Sequence, residues 1–263
     1  MLLGAKMKIQ GAHVVVTGAS QGIGAALTRE FCRRAAKVTM VARNKEALES
    51  LAGETGAVSH PADLSQPAAV EELARNIERD NGAVDILINN AALGGVGEFT
   101  GMTTGTLADH VNTNLLAPML LTHSFLPGML ERRRGTVVMV SSVAGELAMR
   151  NATPYAATKA GLSMFAHDLQ RELKTAPVTV MLTVLGEVDT PMLVPVRADP
   201  VMATANKRLG KLRTMTPEEV ARGMADAIER NRRLLVMPPA LRPVVGMRNA
   251  PSRLMDLAML GAG

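Results

Sequence analysis

"AHVVVTGASQGIGAALTREFCRRA", residues 12–35, decides the fold. A valine run that ends at Thr17 reads as a buried strand, and the segment from Ile23 onward reads as an amphipathic helix. Between them Gly18 permits a tight turn, Gly22 lets the backbone approach a pyrophosphate, and Gly24 allows the helix to pack closely on the strand. The free N–H groups and dipole at the helix start would face the phosphates. Strand, glycine turn and helix in this order point to a nucleotide-binding unit.

Six more apolar runs follow, at residues 37–42, 57–64, 84–90, 135–142, 178–186 and 232–238, separated by stretches of helical periodicity. Continuous Val, Ile and Met runs alternating with helices predict a doubly wound (Rossmann) α/β fold, a parallel sheet of about seven strands with helices on both faces. No repeat or linker interrupts the pattern, so residues 1–263 are expected to form a single dinucleotide-binding domain. Residues 191–215 form an insertion before a helix start marked by Thr216, Pro217 and Glu219. The tail from residue 238 to 263 alternates prolines with apolar residues and arginines, which suits a helical cap or contact with a membrane surface.

The apolar runs are far shorter than the roughly 18 residues that span a bilayer, and the N-terminus does not resemble a secretion signal. The single cysteine, Cys32, reads as a packing residue compatible with a reducing compartment, so a cytoplasmic location is expected. The net charge of +5 includes clusters at 132–134 and 230–233 that read as solvated surface. Few aromatics are available to stack on bases, which argues against nucleic acid as a partner. His13, His60, His110, His123 and His167 show no ligand spacing, so no metal is expected.

The ends of the runs suggest cofactor contacts. Arg43 closes the second run, where an acid would bind the ribose of NAD; a guanidinium there favours NADP(H) over NAD(H), unless it is simply a surface arginine. Asp63 and Leu64 fall where an adenine would lie, and Asn90 and Ala91 follow the fourth run, where small residues let the backbone approach the cofactor. Asn89 suits either bracing of the strands or direct contact.

Tyr155 is the only tyrosine in a chain with no tryptophan, and Lys159 lies four positions later on the same predicted helix face. "TGASQGIG" (17–24), "NNAA" (89–92), Asn114 in "NTNLLAP", Ser142 in "VSSVAG" and "YAATK" (155–159) together resemble the short-chain dehydrogenase/reductase family, over about residues 8–238. The resemblance implies an oxidoreductase moving a hydride between a nicotinamide and a carbonyl or alcohol, with Asn114, Ser142, Tyr155 and Lys159 as its catalytic tetrad. Ser141 and Asn112 are the competing choices for two of these positions. A phenol with a pKa of about 10 is a weak proton donor near neutrality, and each unit of lowering represents about 1.4 kcal/mol of phenolate stabilisation, which a neighbouring cation would supply. Ser142 would hydrogen-bond the substrate oxygen, and Asn114 would help hold a water in a proton relay behind Lys159.

Ser20, Gln21 and Ile23 join the three glycines as cofactor-binding positions, as do Tyr155 and Lys159 themselves. Leu185-Gly186 replaces the family's usual proline-glycine, while Val188 and Thr190 keep the positions expected to meet the carboxamide. Gln21 stands where NADP-preferring relatives often carry a base, leaving Arg43 to bind the 2′-phosphate. The chain end lacks the final strand and paired glycines of bacterial 3-oxoacyl-carrier-protein reductases. Met149, Met192, Leu193, Val194, Val196 and Met202 suggest a lipophilic small-molecule substrate, steroid-like or acyl-chain, or else simply a packed lid. Lys207, Arg208, Lys211 and Arg213 read as a solvated face or a contact for an anionic carrier. A homodimer through the helices that carry Asn114 and Tyr155 is expected, with a homotetramer as the alternative. The competing function is a non-catalytic NADP-binding regulatory or scaffold protein, which would ordinarily lack the tyrosine or lysine.

Overall fold

The structure, a computed structural model, describes residues 7–148, 150–199 and 213–248. Strands β1 (His13–Thr17), β2 (Lys37–Ala42), β3 (Val58–Pro61), β4 (Ile86–Asn89), β5 (Gly135–Ser142), β6 (Val178–Leu185) and β7 (Leu234–Met237) form one sheet in the order β3-β2-β1-β4-β5-β6-β7. All its ladders are parallel. The α-helices among the described residues are α1 (Gly22–Arg33), α2 (Lys45–Thr55), α3 (Pro67–Asn81), α4 (Thr104–Val111), α5 (Ala117–Glu131), α6 (Thr153–Glu172), α7 (Leu193–Ala198), α8 (Pro217–Glu229) and α9 (Arg242–Arg248).

Helices cover both faces, so the strands bury both sets of side chains and read as continuous apolar runs. On one face Val14, Val16, Ile88 and Met181 pack with Leu27 and Phe31 of α1 and Val220 and Met224 of α8. On the other, Val15, Leu87, Val137 and Leu182 meet Ile77 of α3, Phe125 of α5 and Leu162 of α6. Met40, Met129, Met139, Met181 and Met224 are fully buried and take volumes that aromatics would fill in another core. Arg34 clamps α1 to α8, bonding Glu30 at 2.8 Å, Asp226 at 2.6 Å and Glu229 at 2.8 Å.

Local hydrogen bonding adds detail that the apolar pattern does not carry. β3 ends at Pro61, and the Asp63 carboxylate then accepts from the Ser65 N–H at 3.0 Å, turning the chain out of the sheet. The helix after β4 is interrupted by a π-turn at Asn112–Leu116, between α4 and α5. The insertion is pinned at its base, where the Asp189 N–H donates to the Met215 carbonyl and the Met215 N–H to the Glu187 carbonyl. The expected helical cap begins at α9, with Leu241 and Val245 buried. Residues 249–263, with any membrane-facing part of the tail, lie outside the described residues, as do Met149, Met202, Lys207, Arg208 and Lys211. No helix among the described residues is long and apolar enough to cross a membrane.

Candidate active site

The strand order reverses between β1 and β4, and a crevice opens at the carboxyl ends of strands on either side of such a point. Both segments that flank it are tied together there. Thr17 Oγ1 donates to the Ile88 carbonyl and accepts from the N–H groups of Asn90 and Ala91, the last two at 3.0 Å. The Asn90 side chain donates back to the Thr17 carbonyl at 2.8 Å. Thr17 was not singled out by sequence reasoning, although a hydroxyl at the last residue of a strand before a glycine turn is a legible signal for such a tie.

The glycines are needed for different reasons. Gly18 has φ +67°, and a Cβ there would lie 2.8 Å from Ala91 Cα. A Cβ on Gly24 would lie 2.0 Å from the Gly18 carbonyl oxygen. The Thr190 methyl lies against Gly22, which brings the segment after β6 over the turn. No side chain caps the first turn of α1 at Gln21, so its N–H groups are open to an anion. A dinucleotide pyrophosphate therefore fits this cradle. Arg43, exposed at the end of β2, has no partner among the described residues and lies beside the turn, because the Ala19 N–H donates to the Val41 carbonyl. Ser20 and Ile23 are half-buried in the turn, and Leu64 is buried beside Asp63. Val188 points its side chain into the core, leaving only its backbone for a ligand. Asn89 is buried and donates to Thr122 and Met139, which makes it a brace rather than a contact.

Ser142, Tyr155 and Lys159 lie where β5 meets α6. Ser142 Oγ accepts from the Ala144 N–H at 3.2 Å, and the Ser142 hydroxyl acts on the Tyr155 phenol, drawing its pKa down. Ser141 faces away. Its hydroxyl donates to the Lys159 carbonyl at 3.0 Å and meets Ser163 Oγ at 2.8 Å, fastening α6 to β5. Lys159 Nζ lies 5.8 Å from the centre of the Tyr155 ring and donates to the Val140 carbonyl at 2.8 Å.

Electrostatics depart from the expected lowering of the phenol pKa. Burial pushes the Tyr155 phenol up, and the Ser142 hydroxyl draws it back only in part. Burial also lowers the Lys159 amine to about 8. Desolvation outweighs charge pairing here because no anion among the described residues lies against the ammonium.

Asn114 is fully buried in the π-turn, and both Nδ2 hydrogens are used, on the Leu93 carbonyl at 2.9 Å and Thr158 Oγ1 at 3.1 Å. Its Oδ1 accepts from the Leu93 N–H at 2.7 Å. The side chain thus fixes the loop after β4 to α6, one residue before Lys159. Asn112 faces elsewhere, donating to the Ser65 carbonyl.

A family model described as short chain dehydrogenase matches residues 12–201. The chain belongs to the short-chain dehydrogenase family. Members of this family are oxidoreductases that act on CH–OH or C=O groups with a nicotinamide dinucleotide, and this chain is one of them. The chain is 32% identical over 249 residues to dehydrogenase/reductase SDR family member 7B of Rattus norvegicus, covering 87% of this chain and 74% of that one. It is 31% identical over 188 residues to a 3-oxoacyl-(acyl-carrier-protein) reductase of Salmonella typhimurium, covering 71% and 77%. A short-chain dehydrogenase from Sphingobium yanoikuyae, solved with NADPH, superimposes with a TM-score of 0.77 at 25% identity, covering 93% and 95% of the two chains. One from Burkholderia phymatum, solved with NAD, shares the fold with a TM-score of 0.80 at 23% identity, covering 95% and 96%.

Proposed function

We propose that this short-chain dehydrogenase is an NADP(H)-dependent reductase of lipophilic carbonyl compounds, or a dehydrogenase of the matching alcohols, with Tyr155 as general acid and base. The observation that carries the reading is the meeting of Ser142, Tyr155 and buried Lys159 at the junction of β5 and α6, with Lys159 Nζ 5.8 Å from the centre of the Tyr155 ring, beside the crevice that the glycine turn opens. When bound, the nicotinamide supplies or accepts the hydride.

The chain's own residues do the rest. In reduction Tyr155 gives the proton of its Oη to the substrate oxygen, while the Ser142 hydroxyl donates a hydrogen bond to that oxygen. Negative charge left on Tyr155 favours the protonated form of Lys159, which holds the phenolate until it is reprotonated. Asn114 acts as a positioning residue through Leu93 and Thr158. Arg43 pairs with the 2′-phosphate, the turn from Gly18 to Gly24 and the start of α1 hold the pyrophosphate, Asp63, Leu64, Asn90 and Ala91 flank the adenosine, and Val188 and Thr190 flank the carboxamide.

Met192, which packs on Gly94, and exposed Val194 support an apolar substrate wall. Exposed Val111, which ends α4 three residues before Asn114, and exposed Met164 of α6 support a homodimer through the helices that carry Asn114 and Tyr155. The test is oxidation of NADPH, with NADH in parallel, against lipophilic ketones and β-ketoacyl thioesters. Turnover with NADPH in preference to NADH is expected. Tight NADPH binding with no turnover on any compound would favour the regulatory reading.

A further inference from the structure

His110, which no catalytic role uses, carries an unpartnered nitrogen into a cavity beside the reaction crevice. Its side chain is 5% exposed, and Nδ1 lies 2.8 Å from the Thr106 carbonyl. A carbonyl only accepts, so Nδ1 bears the proton and Nε2 of the neutral ring keeps a free lone pair. Nε2 has no protein partner among the described residues. It faces Gly95, where an added Cβ would stand 3.7 Å away.

The cavity measures about 420 Å³, and Gly94, Gly95, Gly97, Met102, Thr103 and His110 line it. That volume suits part of a small molecule. Three contacts tie its lining to the elements of the site. Asn114 holds Leu93, next to Gly94, against α6. Met192 of the insertion lies on Gly94. The Gly97 N–H donates to the carbonyl of Asn151, on the connection between Ser142 and Tyr155.

The polar groups of the lining residues ask for a particular ligand. Nε2 accepts, and the N–H groups of Gly94, Gly95 and Val96 have no partner among the described residues. A hydroxyl satisfies both, donating to the imidazole and accepting from an amide, whereas a purely apolar group would leave all of them unpaired.

We propose that His110 is a specificity residue whose Nε2 accepts a hydrogen bond from a hydroxyl on the part of the substrate remote from the reacting carbonyl. This rests on the carbonyl-reductase reading and narrows its substrate to hydroxylated lipophilic ketones.

The experiment uses unbranched methyl ketones of increasing chain length, each with and without a terminal hydroxyl, on the full chain with NADPH. At the length that reaches the cavity, the hydroxylated ketone should have the higher kcat/KM by about five- to tenfold, the worth of one such bond. His110→Leu should bring that ratio to about one, and His110→Gln, which keeps an acceptor, should restore part of it. The ¹⁵N resonance of the His110 ring, followed with the same ketones, supplies a readout independent of turnover. A shift with the hydroxylated compounds alone upholds the His110 site as a hydroxyl acceptor even where nothing turns over and the reductase reading falls. Turnover with the same ratio in wild type and His110→Leu overturns the proposal and leaves the reductase reading standing. Absence of both a hydroxyl preference and a hydroxyl-dependent shift overturns it as well.

Discussion

Gly24→Ala should be among the most damaging single-methyl additions in the chain. The new Cβ would stand 2.0 Å from the Gly18 oxygen, 2.7 Å from its carbonyl carbon and 2.8 Å from Ala19 Cα. These are all backbone atoms of the turn, so no side chain can rotate away. Reaching ordinary contact needs about 1.5 Å of separation between α1 and the turn. Overpacking of well-packed sites costs about 1–3 kcal/mol, and this site belongs at the upper end. The same movement separates the start of α1 from Gly18, so NADPH affinity should fall more than about tenfold. Gly53→Ala is the matched control: it lies in α2 with no heavy atom within 4 Å of its added Cβ. There the change should stabilise by about 0.5–1 kcal/mol. Urea unfolding and fluorescence titration with NADPH measure both variants. A Gly24→Ala protein within about 0.5 kcal/mol of wild type, with unchanged NADPH affinity, would refute the close-packing argument.

The cofactor-free protein should gain stability as pH rises from about 8 to 10.5, because Lys159 titrates at about 8 when folded against 10.5 when free. Below that window both states hold the proton and the fold bears a buried charge; within it the unfolded state binds more protons, for a gain of up to about 3 kcal/mol. Lys159→Met should lack this rise, as denaturation at a series of pH values would reveal. Arg43→Ala should weaken NADPH by about 10- to 100-fold and leave NADH nearly unchanged, since only the 2′-phosphate loses a charge-assisted partner; equal losses for both cofactors in binding titrations would contradict that assignment. Asn114→Ala strands the Leu93 N–H and carbonyl and should destabilise by about 2–3 kcal/mol in urea, with Asn114→Asp recovering only the Oδ1 bond.

Much of this architecture was legible in the sequence because buried parallel strands cannot disguise themselves. The valine run before Gly18 and its six successors mark all seven strands, and the spacing from Ser142 to Tyr155 to Lys159 sets those residues at the junction of β5 and α6, with Lys159 Nζ 5.8 Å from the Tyr155 ring centre. What escaped was local hydrogen bonding that overrides periodicity. The π-turn at Asn114 shows no break in the apolar pattern, yet it turns the amide onto Leu93. The early end of β3 depends on one carboxylate meeting one N–H. The pKa directions also lay beyond sequence reasoning, which places Lys159 near Tyr155 but cannot weigh desolvation against charge. His110 read only as a histidine lacking a metal partner, since its value as an acceptor depends on Thr106 occupying its other nitrogen.

The central claim is that Tyr155 transfers the proton, and Tyr155→Phe tests it with the ring retained and one oxygen removed. Turnover of the best ketone substrate and the Kd for NADPH should be measured on the same preparation. The account predicts that kcat falls by about 10²- to 10⁴-fold while NADPH binding stays within a few-fold of wild type. A variant that keeps wild-type kcat would contradict it and move the proton donor to another group.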